Sequence, residues 1–330
     1  MKIIDMHCDT IMKLYEDHMA GGQESLRTHT GHLNLEKMRQ GAYLLQNFAL
    51  YVNLERYPRP FETAMAMADV FYQEIEKNAD LIGVVKNYAD IEENRKRGRM
   101  SALLTLEEGE ICQGELSYLR DFYRMGARMM TLTWNFKNSL AWPNRIVMEG
   151  PERGCYPDTE HGLTENGIAF LEEMEKLGMI IDISHLNDAG IWDVFRYTKR
   201  PFVASHSNCR ALASHPRNLT DEMLRRLGNR GGVAGINYCI DFLRDFPEGA
   251  KKRSLVSDMV RHMKHMKQIG GIGVIGLGSD YDGISGDLEM AGPQDLPLLI
   301  GEMQKQGFTE SEIDAICYGN VLRVYREILR

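Results

Sequence analysis

Near its start the chain reads Ile3-Ile4-Asp5-Met6-His7-Cys8-Asp9-Thr10, with a helix-like segment at 11–16 behind it. If residues 2–6 form a buried strand, His7 and Asp9 leave its C-terminal end two positions apart. Side chains so spaced on an extended segment point the same way. An imidazole and a carboxylate then converge on one point, which suits a divalent metal such as zinc. The same pair also serves ordinary structural hydrogen bonding, so the rest of the chain has to decide between the two readings.

Working outward, short apolar or β-branched runs recur and predict strands at 3–7, 42–49, 101–106, 129–133, 179–184, 202–205, 232–236 and 274–278. Helical patterns fall between them at 61–78, 115–125, 165–177, 221–227 and 254–269. Gly126, Gly178 and Gly228 stand just past three of these, and Thr220 just before one, as caps should. Thr309-Glu310-Ser311-Glu312 is a capping box that opens a last helix running through 321–329. Eight strands alternating with helices in 330 residues predict an α/β fold, a (β/α)8 TIM barrel forming a single domain over 1–330. An open doubly wound sheet is the alternative. The stretches 107–144 and 145–161 are too long for simple connectors. The second reads as a loop rich in Gly and Pro, of the kind that carries function.

Composition excludes several classes. The formal net charge is −8 and no basic stripe stands out, which argues against a nucleic-acid partner. No apolar run approaches the roughly 18 residues needed to span a membrane. The chain enters a core strand at once, so no signal peptide is expected and a cytoplasmic location is. Six scattered cysteines, Cys8, Cys112, Cys155, Cys209, Cys239 and Cys317, show no CxxC spacing and read as reduced thiols.

The residues at the strand ends carry the chemistry. The first strand delivers His7 and Asp9; the third ends in Glu107-Glu108-Gly109; the fifth in Asp182-Ile183-Ser184-His185; the sixth in Ser205-His206-Ser207; the eighth in Ser279-Asp280-Tyr281-Asp282-Gly283. In a barrel all these ends share one rim, where active sites of this fold sit. Three histidines and three carboxylates meeting there exceed the needs of one zinc ion and fit two metals about 3.5–4 Å apart. Glu107 is favoured over Glu108 as the bridge between them. Asp280 is favoured over Asp282 as the group that takes a proton from the activated water and returns it to the leaving amine.

Other motifs are set aside. Asp280-Tyr281-Asp282-Gly283 has its glycine misplaced for a calcium loop. Gly271-Ile272-Gly273-Val274-Ile275-Gly276 precedes its strand, where a dinucleotide fingerprint would follow one. His262 and His265 lie on a helix rich in Lys and Arg and read as a solvated face. Cys8 reads as a bystander between two ligands.

Taken together, Asp5–Thr10, Gly178–His185, Ser205-His206-Ser207, His215-Pro216-Arg217-Asn218, Gly278–Gly283 and Gly319-Asn320-Val321-Leu322-Arg323-Val324 resemble, in the same order, the renal (membrane) dipeptidase family of binuclear metal amidohydrolases. The resemblance implies a barrel with two Zn2+ per chain: His7 and Asp9 on the first, His185 and His206 on the second, Glu107 bridging. It gives Asp280 as the catalytic acid/base. It also gives Arg217 as the guanidinium that holds a substrate carboxylate and Tyr51 as a substrate-side tyrosine. A departure falls at Trp134, where family members such as the mammalian enzyme place a histidine that polarises the scissile carbonyl. Asn135, Asn138 or the metal itself is left to serve the oxyanion.

The expectation is therefore a zinc-dependent dipeptidase acting on dipeptides with a free C-terminal carboxylate, with L,D-dipeptides among the candidates, by attack of a metal-bridging hydroxide. Lactone, phosphoester or deaminase chemistry on the same centre, a non-catalytic binding barrel and a carboxylate-only glycosidase are the competitors. A homodimer follows from the resemblance alone.

Overall fold

The computed structural model describes residues 2–150 and 153–329. Eight strands form the barrel: β1 (Ile3–Asp5), β2 (Tyr43–Tyr51), β3 (Met100–Glu107), β4 (Ala127–Thr131), β5 (Ile180–Asp182), β6 (Val203–Ala204), β7 (Val233–Ile236) and β8 (Ile275–Leu277). Each pairs in parallel with the next, and β8 returns to β1 through Asp5 opposite Leu277. That closure rules out the open doubly wound sheet.

These runs form strands because both faces are buried. Inside, Ile4, Met6, Leu45, Leu103, Met129, Ile180, Val203 and Val233 make one apolar cluster. Helix Asn320–Ile328 packs into it through Val321, Val324, Tyr325 and Ile328. Asn320 Nδ2 donates to Ile272 O and Ile275 O, each at 2.8 Å, so this helix sits where β8 begins and leaves the other end of the barrel for chemistry. Outside, a larger apolar cluster fills the layer between strands and helices. Helix Glu165–Leu177 has the bounds that its caps predict: Thr164 accepts from Gly167 N, and Gly178 takes the left-handed conformation at φ 78°.

Several strands end earlier than the apolar runs imply. β1 stops at Asp5 and β5 at Asp182 because these carboxylates capture the backbone amides beyond them. His7 N donates to Asp5 Oδ1 at 3.2 Å, and Ser184 N to Asp182 Oδ1 at 3.0 Å. The segment 145–161 is not simply a loop: Arg145–Val147 pairs antiparallel with Gly154–Tyr156. A short strand, Ile82–Val84, also joins the start of β3, and a helix, Tyr88–Lys96, follows it behind an Asn87–Asp90 capping box.

Candidate metal centre

Strand register assembles the rim. Tyr51 lies opposite Glu107, Glu107 opposite Thr131, and Thr131 opposite Asp182, which puts the ends of β2 to β5 at one level. Beyond β1 and β8 the pairing continues through Asp9 N to Tyr281 O at 2.9 Å and Asp280 N to His7 O at 3.3 Å. That zipper sets Asp9 beside Asp280. Gly283 leaves room for both carboxylates, since a Cβ there would fall 2.1 Å from Asp9 Oδ2 and 2.4 Å from Asp280 Oδ1.

Glu107 stands at the centre, nearly fully buried, with its two oxygens facing different partners. Oε2 lies 3.2 Å from His7 Nε2, whereas Oε1 lies 3.2 Å from His185 Nε2 and 3.7 Å from His206 Nε2. His7 Nε2 is also 3.8 Å from Asp9 Oδ1 and 3.9 Å from Asp280 Oδ1. The ring nitrogens of His185 and His206 turned away from the centre are held by Asn135 Oδ1 at 3.0 Å and Ser205 Oγ at 2.7 Å. Their Nε2 atoms are thereby aimed inward.

These donors fit a divalent cation. Among the described residues, His7 Nε2, Asp9 Oδ1 and Glu107 Oε2 are buried without a hydrogen-bond partner, a costly state for polar atoms that a bound ion removes. His7, Glu107 and His206 offer atoms within 4.8 Å of one another, as do His7, Asp9 and Asp280. Electrostatics point the same way. Burial works against charge on His7, but the Glu107 and Asp9 carboxylates together outweigh it and hold the imidazole well above its ordinary value. Burial, reinforced by Arg217 and His7, pushes His185 and His206 well below theirs, so they stay neutral and able to ligate. Burial also raises the Glu107 and Asp280 carboxyls, against the pull of His7. Three carboxylates, Asp9, Glu107 and Asp280, crowd around His7, and a metal ion would balance their charge.

A cavity of about 390 Å³ opens onto this cluster, with Asp9, Tyr51, Glu107, Trp134, Asn135, His185, Cys239, Phe242 and Asp280 on its wall. Tyr51 therefore stands where a substrate contact could be. Arg217 lies behind the wall, 6% exposed, with its guanidinium 5.4 Å from the centre of the Phe242 ring. It donates to Ser207 Oγ at 3.3 Å and His206 O at 3.4 Å. Its Nε has no acceptor, and among the described residues no carboxylate pairs with it.

The structure places some sequence-predicted residues elsewhere. Asn138 is not brought to the cavity. Its Nδ2 donates to Glu108 Oε1 and to Leu132 O, and its Oδ1 accepts from Leu140 N at 2.8 Å and Ala141 N at 2.9 Å, so neither end is free. Glu108 points away from Glu107 and holds the loop after β4 by accepting from Trp134 N at 2.9 Å. Asp282 ties helix Thr10–Met19 to the rim through Thr10 Oγ1 at 2.6 Å. His262 is fully buried rather than solvated: Nδ1 accepts from Cys209 N at 3.0 Å and Nε2 meets Leu243 O at 2.9 Å. Sequence reasoning also missed Asp5 and Asp182 as organisers of the rim. Their signal was an acidic residue two or three positions before a predicted ligand. Cys8 Sγ turns to Asn47 O at 3.4 Å, and all six cysteines are free thiols.

A closed β/α barrel with buried His and carboxylate donors converging at its rim defines a metal-dependent hydrolase. Over residues 1–330 the chain matches the family model described as membrane dipeptidase (peptidase family M19), and it belongs to that family. It is 30% identical over 312 residues to an uncharacterized dipeptidase of Schizosaccharomyces pombe, covering 90% of this chain and 72% of that one. A dipeptidase of family M19 superposes with a TM-score of 0.88 at 26% identity, over 100% of this chain and 99% of that one. A Rhodobacter sphaeroides metallopeptidase, liganded with a phosphinate mimic of the dipeptide L-Ala-D-Ala, superposes at 0.87 with 25% identity, over 99% of each chain. The chain is thus a metallo-dipeptidase by family. Among its described residues no helix is long and apolar enough to cross a membrane.

Proposed function

We propose that this chain, acting as one domain over 1–330, is a zinc-dependent enzyme that cleaves dipeptides with a free C-terminal carboxylate, L,D-dipeptides among them. One observation carries the reading: Glu107 divides its oxygens, Oε2 toward His7 and Oε1 toward His185, each at 3.2 Å. Such a carboxylate suits a pair of ions, with His7 and Asp9 holding one and His185 and His206 the other. Two zinc ions so held would supply a water acidified toward neutral pH and a Lewis acid for the substrate carbonyl.

The remaining work falls to side chains. Asn237 Nδ2 donates to Asp280 Oδ2 at 2.9 Å, which fixes that carboxylate and leaves Oδ1 facing the centre. Asp280 takes the proton as water oxygen bonds to the carbonyl carbon, and passes it to the nitrogen as the peptide C–N bond breaks. A carboxyl raised by burial is suited to both halves of that transfer. Arg217, buried and without a carboxylate partner among the described residues, holds the substrate's terminal carboxylate. The phosphinate dipeptide mimic on the Rhodobacter sphaeroides relative supports an L,D-dipeptide as substrate.

The test is turnover of L-Ala-L-Ala and L-Ala-D-Ala against a panel of lactones, with zinc-loaded protein and the metal content measured. Hydrolysis of dipeptides with two ions per chain is expected. No dipeptide turnover, or lactones preferred, would sink the reading. A cytoplasmic location and a homodimer are checked by cell fractionation and by light scattering.

A further inference from the structure

The loop after β4 puts a tryptophan and an asparagine on the cavity wall, and it is pinned from behind. Glu108 accepts from Trp134 N at 2.9 Å and from Asn138 Nδ2, while Thr133 Oγ1 donates to Phe136 O at 2.6 Å. The Trp134 ring packs between Tyr51, with centroids 5.0 Å apart, and His185, at 5.8 Å. Asn135 follows it, partly exposed to the cavity, with Oδ1 3.0 Å from His185 Nδ1.

That contact fixes which way the amide faces. An imidazole that offers Nε2 to a cation carries its proton on Nδ1. His185 Nδ1–H is then a donor, and only the oxygen of Asn135 can accept it. The Nδ2 group is left on the other side, with no protein acceptor among the described residues. Asn135 lines the same cavity as Glu107 and Asp280, the one into which the dipeptidase reading puts the substrate carbonyl.

We propose that Asn135 is the carbonyl-polarising donor of this site: Oδ1 holds His185 Nδ1–H, and Nδ2 donates to the scissile carbonyl oxygen as it gains charge. Side-chain amides do this work in other acyl-transfer sites. The assignment rests on the dipeptidase reading above. It also separates the two asparagines that the sequence leaves open, since Asn138 has both ends committed to the loop.

The experiment uses full-length protein at saturating zinc and measures kcat, KM, affinity for a phosphinate dipeptide mimic, and zinc affinity by chelator competition. Asn135→Ala is expected to lower kcat by about 10²–10³-fold with KM little changed. The phosphinate should weaken in proportion, and zinc affinity should fall by about 10–100-fold. Asn135→Asp keeps an acceptor for His185 and loses the donor, so zinc affinity should stay close to wild type while kcat falls as in the alanine variant. Trp134→Phe removes the indole N–H but keeps the ring, and should cost less kcat than Asn135→Ala. The assignment is overturned if Asn135→Ala keeps its kcat at saturating zinc, or if Trp134→Phe proves the more damaging change. A wild type without dipeptide turnover would remove the function reading itself, a different outcome from an active wild type beside an active Asn135→Ala.

Discussion

A single methyl group on Gly283 separates the geometry of the centre from the stability of the fold. Ordinary contact with a Cβ begins at 3.4 Å, yet one placed at Gly283 falls 2.1 Å from Asp9 Oδ2 and 2.4 Å from Asp280 Oδ1. The two carboxylate tips must therefore retreat by about 1.3 and 1.0 Å, the differences between those distances and 3.4 Å. Gly283 is not among the residues at positive φ, so alanine meets no backbone penalty there. Both obstacles are ends of side chains, which can rotate aside for about 1 kcal/mol. The thermal midpoint of Gly283→Ala should thus shift little. A misplacement near 1 Å in a reacting constellation costs about 10²-fold, or about 2.7 kcal/mol of barrier. The assay is kcat/KM on L-Ala-D-Ala at saturating zinc, with circular dichroism melting on the same sample. Wild-type kcat/KM in the variant would refute the reasoning, as would an activity loss that merely tracks unfolding.

Further consequences can be measured alongside it. His7→Ala should lose metal and activity together, whereas Cys8→Ser should keep both, because Cys8 Sγ faces Asn47 O; metal analysis and turnover decide. Arg217→Met should abolish the preference for a free dipeptide over its C-terminal amide, a loss of about 10–100-fold from one charge-assisted contact. Its melting point should hold or rise, since a buried unpaired charge is removed. Burial presses His262 down to about 4, against about 6.5 in an unfolded chain. A depressed folded value means that the unfolded state binds the extra proton. The stabilisation is then complete above pH about 6.5 and is lost as pH falls toward 4, up to about 3 kcal/mol. Urea midpoints of wild type and His262→Gln should diverge across that window, and parallel curves would contradict the assignment.

The barrel was legible because its strands are buried on both faces and its helices carry their own punctuation. Thr164, Thr220, Gly178 and the Thr309–Glu312 box mark ends that the structure keeps. Some signals were present but unread. Asn87 and Asp90 form a full capping box ahead of Tyr88–Lys96, and Asn187 caps Asp188–Tyr197. His262 was hidden by its charged neighbours in sequence. On helix Val256–Gly270, however, it shares a stripe with Met259, Val260, Met263 and Met266, all buried. Spacing of three and four points inward there, whatever charge flanks it.

The rim resisted reading for a different reason: backbone direction at a strand end is set by tertiary contacts rather than by local preference. His185 and Asp280 sit at φ 67° and 63°, and Glu108 at 107°, in a region L-residues rarely occupy. Nothing in their neighbours' propensities calls for it. Asp182 draws in Ser184 N and Ser205 N, and Asp5 draws in His7 N and Ser279 N at 2.9 Å, turning the chain just past the strand so that the next side chains face the axis. Residue chemistry at each strand end thus identifies what kind of ion the mouth could hold. Which of two adjacent carboxylates, Glu107 or Glu108, turns inward is decided by hydrogen bonds from a loop some 26 residues further along the chain, through Trp134 N. The sequence favours Glu107, and the packed loop is what holds Glu108 aside.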